Sequence, residues 1–486
     1  MKRIAVGLFS LFLSAQSFSN IITEFNSVKQ HPEKLRIFLA DMPKGGDLHN
    51  HLDGAIYAEE YISFADSSMC LNPATMAIYV SEDCPVNLQL SELPKGDQAL
   101  YSDLIDTWSM RDFIPGRHSG HDHAFSTFQK FAPVYNANVG DALAAVLNRA
   151  GKQHLQYLEL RLPLDNAALI ALGDNITWDN NLAKMQEQVV AKGVQAVVDK
   201  IPADIDTAMA QANQLMRCDS VRPTAGCGVS VRYIYPVLRA MKPVNVFSQL
   251  VGAFILADID PRVVGIDMVM PEDSFYVLRD YKLQMEMVAY LRTQYPNVNV
   301  TLHAGELSQG SVVPYGLDTH INQAVSIAGA QRIGHGVDIA YEDDAEALLE
   351  KMAKRHVAVE INLSSNEKIL GVSGDDHPFA LYLDSGVPMA ISTDDEGVLR
   401  TDMSNELFRA VTTYDLSYAQ LKQLIRNSLT YSFLAGDSLW ENAETATPIS
   451  VCAESSEACN AFLKGSDKAR LQWALEERFT EFELKH

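Results

Sequence analysis

Positive charge is what this chain has least of: 39 lysines and arginines stand against 62 aspartates and glutamates, a formal net charge of −23. Such a surface repels phosphate backbones and anionic lipid headgroups, which argues against nucleic acid or a charged membrane as a partner. It places no such bar on an uncharged small molecule. Beyond the first twenty residues there is no long apolar run, so no later segment reads as a membrane-spanning helix. Short repeats, low-complexity tracts and long charge blocks are missing as well, which removes solenoid and fibrous architectures. None of the six cysteines has CxxC spacing and none adjoins a histidine motif. That is not the pattern of a Cys-rich structural zinc loop.

What remains is a chain of 486 residues with 47% apolar and 21% charged side chains, the balance of a globular protein of one large domain with insertions, or of two domains. Its first nineteen residues differ from the rest. Lys2 and Arg3 precede an apolar run over 4–13, and the small residues of Ser17-Phe18-Ser19 follow. This order predicts a secretory signal removed before Asn20, and hence an exported protein, periplasmic or secreted, that keeps no membrane attachment. The cysteines agree. They fall as near neighbours, Cys70 with Cys84, Cys218 with Cys227 and Cys452 with Cys459, as expected for local disulfides in an oxidising compartment.

From residue 46 onward the chain alternates. Short β-rich runs occupy 46–53, 154–162, 228–235, 263–269, 298–303, 332–338, 357–363 and 387–393, and amphipathic helical stretches, such as 274–295 and 321–329, lie between most of them. Eight strands alternating with helices predict a (β/α)8 TIM barrel. A doubly wound open sheet shares the alternation, which by itself does not show closure. The first connection, about 59–138, is far longer than a βα loop. It predicts a helical and loop insertion, a small lobe or lid within one domain spanning 20–486. Trp108, Phe113, Phe125 and Phe128 in it suit either a lid lining or the lobe's own core. His118, His121 and His123 suit a solvated loop better than a second metal site.

Polar residues with chemical capacity gather at the ends of the predicted strands: His49 and His51 after the first, His303 and Glu306 after the fifth, His335 after the sixth, Asp394 and Asp395 after the eighth. In a barrel these ends converge on one face. Residues two apart on a strand point the same way, so His49 and His51 can share a target. Three imidazoles and one carboxylate, His49, His51, His303 and Asp394, make a zinc site of intermediate hardness with room for water. Zinc lowers the pKa of a bound water to about 7. Glu306 then suits a general acid, and His335 a group that orients or deprotonates the water. Glu360, Asn362 and Asn366 read as supports rather than ligands. Arg161 and Arg232 read as ion-paired structural residues.

The stretches Met42-Pro43-Lys44-Gly45-Gly46-Asp47-Leu48-His49-Asn50-His51-Leu52-Asp53-Gly54, His303-Ala304-Gly305-Glu306, Arg332-Ile333-Gly334-His335-Gly336, Ser364-Ser365-Asn366 and Ser392-Thr393-Asp394-Asp395 closely resemble the adenosine deaminase family, within the metal-dependent hydrolase superfamily. The exported, cysteine-paired form with an early insertion looks like its secreted, growth-factor-related subgroup. The resemblance implies hydrolysis of adenosine and 2′-deoxyadenosine to inosine products and ammonia, with one Zn2+ per chain on His49, His51, His303 and Asp394. Glu306 would protonate purine N1, His335 and Asp394 would hold the water that adds at C6, and Asp395 would bond N7. Asp53 would contact the ribose. By analogy with that subgroup the inserted lobe would form a homodimer.

Two positions depart from the family pattern. Met270 stands where a glycine usually offers its N–H to purine N3, which brings bulk toward the base. Glu396 stands where a proline commonly follows the aspartate pair. A deaminase of another aminopurine or modified nucleoside shares most of these features. So does an exported adenosine-binding protein without turnover, although a degenerate binder would be expected to have lost one of these groups. The HxE with PCxxC signature of the other zinc deaminase architecture is not found in this sequence.

Overall fold

The computed structural model describes residues 20–117 and 119–486; the leader expected at 1–19 and His118 lie outside the described residues. Eight parallel strands form one sheet in chain order: β1 (Gly46–His51), β2 (Tyr157–Arg161), β3 (Ser230–Leu238), β4 (Val263–Val269), β5 (Asn299–Ala304), β6 (Arg332–His335), β7 (Ala358–Ile361) and β8 (Met389–Ile391). All eight coincide with the runs expected from the sequence. Most of their residues are buried, as a sheet covered on both faces requires.

The open-sheet alternative is settled where β8 meets β1. Past the end of β8 the chain forms a parallel bridge between Asn50 and Asp394. Asp394 N–H donates to His49 O at 2.8 Å, and His51 N–H donates to Asp394 O at 3.3 Å. The sheet therefore closes into a (β/α)8 barrel through the very residues singled out for chemistry. β1 also shifts register against β2 between Asp47 and Asn50, an irregularity of the kind that re-aims side chains beside active sites.

Helices such as Pro243–Ile259 and Phe275–Gln294 cover the outside. The stretch expected as a helix over 321–329 runs as one short α-helix, His320–Gln323, continued by a π-helical turn, Ala324–Ala328. The long β1–β2 connection holds a hairpin (Met69–Asn72 with Ala77–Val80) and the helices Gln98–Trp108 and Gly120–Ala137. Its aromatic residues divide by position. Trp108 is buried, its indole N–H donates to Met76 O at 2.8 Å, and it sits edge-on to Phe131, which stacks on Tyr61 at 4.7 Å. Phe125 and Phe128, one helical turn apart, face the barrel cavity instead.

Three disulfides join Cys70–Cys84, Cys218–Cys227 and Cys452–Cys459, the pairing that proximity suggested. They are compatible with an extracellular protein. Among the described residues no helix is long and apolar enough to cross a membrane.

Candidate metal and substrate site

The interior of the barrel is crossed by charge rather than filled with aliphatic layers. Arg161 on β2 donates to Asp267 on β4 at 2.8 Å and to Glu360 on β7 at 2.9 Å. Arg332 on β6 donates to Glu360 and to Glu159 on β2, each at 2.6 Å. Except for Arg332–Glu360, which joins the adjacent strands β6 and β7, these pairs link strands that are not neighbours and so span the barrel, and all five side chains are essentially inaccessible. Burial alone would push the Glu360 carboxyl up, but Arg332 and Arg161 hold it well below the usual range. Asp267 is likewise held well below its ordinary value, by His303 and Arg161 against burial. Arg232, by contrast, pairs with Asp467 in a part-buried position.

The lattice has a second duty. His49 donates its Nδ1–H to Glu360 at 2.7 Å, and His303 donates its Nδ1–H to Asp267 at 2.8 Å. An ionised carboxylate accepts only, so each ring carries its remaining lone pair on Nε2, aimed at the rim. Removing Arg161 would leave Asp267 without its arginine partner. We expect Arg161→Met to destabilise the fold by about 3–5 kcal/mol, the usual cost of breaking a buried pair, read as a lower urea midpoint with an unchanged slope.

At the rim the sequence-expected residues meet. His49, His303, His335 and Asp394 each place a ligand atom within 4.8 Å of the others, and all four are buried. His51 joins them more tightly still: its Nε2 lies 3.2 Å from His303 Nε2 and 3.4 Å from Asp394 Oδ1. His49 Nε2 lies 3.5 Å from Asp394 Oδ1 and has no hydrogen-bond partner. Donors bound at about 2.0–2.1 Å to one tetrahedral zinc stand roughly 3.3 Å apart. The His51–His303, His51–Asp394 and His49–Asp394 separations fit that edge. The two imidazole nitrogens stand at hydrogen-bond distance, a contact that a shared cation can replace. His335 Nε2 stands farther off, 3.8 Å from Asp394 Oδ2 and 3.9 Å from Glu306 Oε1.

Backbone conformation supports the convergence. Met270 (φ 90°), His335 (φ 70°) and Asp394 (φ 61°) hold left-handed backbone without being glycine, a costly state that clusters at functional sites. Gly334 is needed for contact: a Cβ there would stand 2.7 Å from His49 Cε1. Glu396, the residue in place of proline, pairs with Arg149 and accepts from Gln153, both at 3.0 Å, which ties the loop after β8 to the helix Val139–Lys152.

Above the cluster lies a cavity of about 440 Å³. His51, His303, Glu306, Asp394 and Asp395 form its floor, and Asp53, Met270, Phe125 and Phe128 stand among its walls. Burial, then the neighbouring Asp394, push both Glu306 and Asp395 well above the ordinary carboxyl range. Asp53 is pushed up to about 6 by burial. The glutamate turn is held from below: Glu272 accepts from Gly305 N at 3.0 Å and Glu306 N at 2.8 Å, and takes the Nδ1–H of His320 at 2.6 Å. Arg239 donates to Met270 O and His303 O, tying the ends of β4 and β5 together. Among the described lining residues there is no lysine or arginine.

Sequence reasoning missed Asp267, Glu272, Arg239 and His377. Asp267 alone left a trace, as an acid inside an otherwise apolar strand. Among the described lobe histidines, His121 and His123 do not converge. His121 Nε2 meets Asp273 at 3.0 Å, while His123 Nε2 meets Ser109 O at 2.9 Å.

Fold and rim together define a (β/α)8 barrel that carries a buried cluster of metal-type donors at its strand ends. The pattern describing "Adenosine deaminase" matches residues 181–444, more than half of the chain. The chain belongs to the adenosine deaminase family. It is 28% identical over 222 residues to an adenosine deaminase of Mycobacterium marinum, covering 44% of this chain and 56% of that one. The matches span about half the length of such curated relatives. Two solved structures share the fold. An adenine deaminase from Arthrobacter aurescens superposes with TM-score 0.54 at 16% identity, over 90% of this chain and 99% of that one. The N6-methyl-AMP deaminase from Arabidopsis thaliana gives TM-score 0.51 at 20% identity, over 83% and 95%.

Proposed function

We propose that this protein removes the 6-amino group of adenosine, and of 2′-deoxyadenosine, by hydrolysis, and does so in an oxidising compartment. The observation that carries the reading is the buried Glu306 carboxyl on the cavity floor, beside a cluster of metal-type donors. His49, His51, His303 and Asp394 would hold one Zn2+. His335 replaces His51 in the looser four-donor grouping, but its longer distances favour His51. When bound, the ion acts as a Lewis acid and lowers the pKa of a water to about 7.

The chain's own groups account for the rest. Glu306 gives its proton to purine N1, which makes C6 electrophilic. His335 and Asp394 fix the oxygen that adds to C6. Purine N7 is only an acceptor, so its partner must donate, and Asp395, kept protonated by burial beside Asp394, can do so. As the tetrahedral centre collapses, the C6–N bond breaks; one proton of the added water passes to the amine, which leaves as ammonia, the other restores Glu306, and a 6-oxo purine protonated at N1 remains. Asp53, on the cavity wall, suits the ribose hydroxyls.

Deaminases of adenine and of N6-methyl-AMP share this fold, so the fold leaves the choice of substrate to the cavity. A 5′-phosphate needs a cationic partner, and the described lining supplies acids instead. That favours a neutral nucleoside. Met270 in the wall favours a second reading, a modified or different aminopurine nucleoside. The test is ammonia release from the full chain with adenosine, 2′-deoxyadenosine, adenine, AMP and N6-methyl-AMP, with and without a chelator. We expect kcat/KM for adenosine to exceed that for either nucleotide by roughly 100-fold or more, a difference of about 3 kcal/mol, and a chelator to abolish turnover. A nucleotide as the best substrate would overturn the reading.

A further inference from the structure

Three buried side chains outside the cavity wall form a directional chain that ends on His335. It begins at a backbone amide, which can only donate: Phe379 N–H bonds His377 Nδ1 at 3.2 Å. His377 Nδ1 therefore holds a lone pair and its proton sits on Nε2. That nitrogen meets Asn366 Oδ1 at 3.0 Å. The amide of Asn366 is thereby oriented, oxygen toward His377 and NH2 toward His335, where Nδ2 lies 2.9 Å from His335 Nδ1. A second amide NH2, on Asn362, faces the same nitrogen at 3.5 Å. His335 Nδ1 must accept, so its proton is on Nε2, the atom facing Asp394 and Glu306.

This is the opposite tautomer from that of His49 and His303, whose Nδ1–H groups bond carboxylates. One cluster thus contains imidazoles sorted by their outer partners: carboxylates turn lone pairs inward, an amide turns an N–H inward. Asn366 and His377 are 0% and 2% exposed. Asn366 opens a π-helical turn, Asn366–Leu370, a local backbone irregularity frequent at functional sites.

We infer that Asn366 and His377 are positioning residues that lock His335 as an Nε2–H donor to the attacking oxygen, so that it orients this oxygen and neither coordinates metal nor takes a proton through Nε2. The inference rests on the proposed deaminase reading only for its kinetic consequence; the tautomer itself stands apart from turnover.

Asn366→Asp is nearly isosteric but offers only acceptors, so it would force His335 into the Nδ1–H form with a lone pair on Nε2. The test labels the full chain with 15N-histidine and reads the His335 tautomer from long-range 1H–15N correlations, assigned with His335→Gln. Wild type should show Nε2–H and Asn366→Asp should show Nδ1–H. With adenosine, kcat of Asn366→Asp should fall roughly 100- to 1,000-fold, as a wrong tautomer does elsewhere, with KM within about threefold. His377→Leu frees the Asn366 amide to turn and should lower kcat about tenfold. His377→Gln supplies an acceptor for Phe379 N–H and a donor for Asn366, and should restore kcat to within about threefold of wild type. A wild-type His335 in the Nδ1–H form would overturn the inference, as would an Asn366→Asp variant that keeps both tautomer and kcat, or His377→Gln and His377→Leu behaving alike. An Nε2–H signal in a protein that does not deaminate adenosine would sink the deaminase reading and leave the lock in place.

Discussion

Replacing Glu306 by Gln is expected to lower kcat on adenosine by about 1,000-fold, within the range for loss of a general acid, while bound metal and nucleoside affinity stay near wild type. Glutamine keeps the length and can still donate a hydrogen bond to a ring nitrogen, but it has no proton to give. Position is not at issue, because Glu272 holds the backbone of Gly305 and Glu306 whatever side chain follows. Charge is not at issue either. Burial and Asp394 push the native carboxyl well above its ordinary range, toward the neutral form, so a neutral amide disturbs the field at Asp394 and the histidines little. The pH dependence has a fixed sign. The acid is active when protonated and its pKa is raised, so activity persists above the usual carboxyl range and is lost as pH rises through that raised value. Asn or Gln variants of a merely structural glutamate would cost stability rather than kcat. A Glu306→Gln enzyme within tenfold of wild-type kcat, measured by ammonia release at saturating adenosine, would remove the residue from the acid role.

The strand count and the placement of His49, His51, His303, His335 and Asp394 were legible because βα barrels put strand ends on one face, and strand ends are marked by local β-rich runs. Closure was not legible. It depends on the Asn50–Asp394 bridge, a contact between residues 344 positions apart that no local pattern encodes. The ion lattice escaped for a similar reason. A single Asp267 or Glu360 inside a strand looks the same whether it faces solvent, an arginine or a histidine; only the barrel brings Arg161 between them. His377 carried no signal, since its role comes from Phe379 N–H on one side and Asn366 on the other. The aromatic residues of the lobe were ambiguous because helix register decides the matter: Phe131 turns inward to Tyr61 and Trp108, while Phe125 and Phe128 turn to the cavity.

The second large effect concerns metal content, and it separates the two four-donor sets available at the rim. If His49, His51, His303 and Asp394 are the ligands, alanine at His49 or Asp394 should strip the protein of its metal after dialysis, read by elemental analysis, and abolish turnover. His51→Ala should do the same, whereas His335→Ala should keep close to one ion per chain while losing activity. The contrast follows from which atom each ring presents. His49 and His303 have their outer nitrogens protonated against Glu360 and Asp267, leaving lone pairs inward, and His51 Nε2 stands at ligand-to-ligand spacing from His303 and Asp394. His335 is fed an N–H by Asn366 at its outer nitrogen, so its inner nitrogen bears hydrogen and cannot bind a cation without breaking that bond. Loss of an outer partner should be milder: Glu360→Gln or Asp267→Asn is expected to weaken metal binding by roughly 10- to 100-fold. Metal lost from His335→Ala but retained in His51→Ala would assign the ion to the looser grouping and with it reverse the roles of the two histidines.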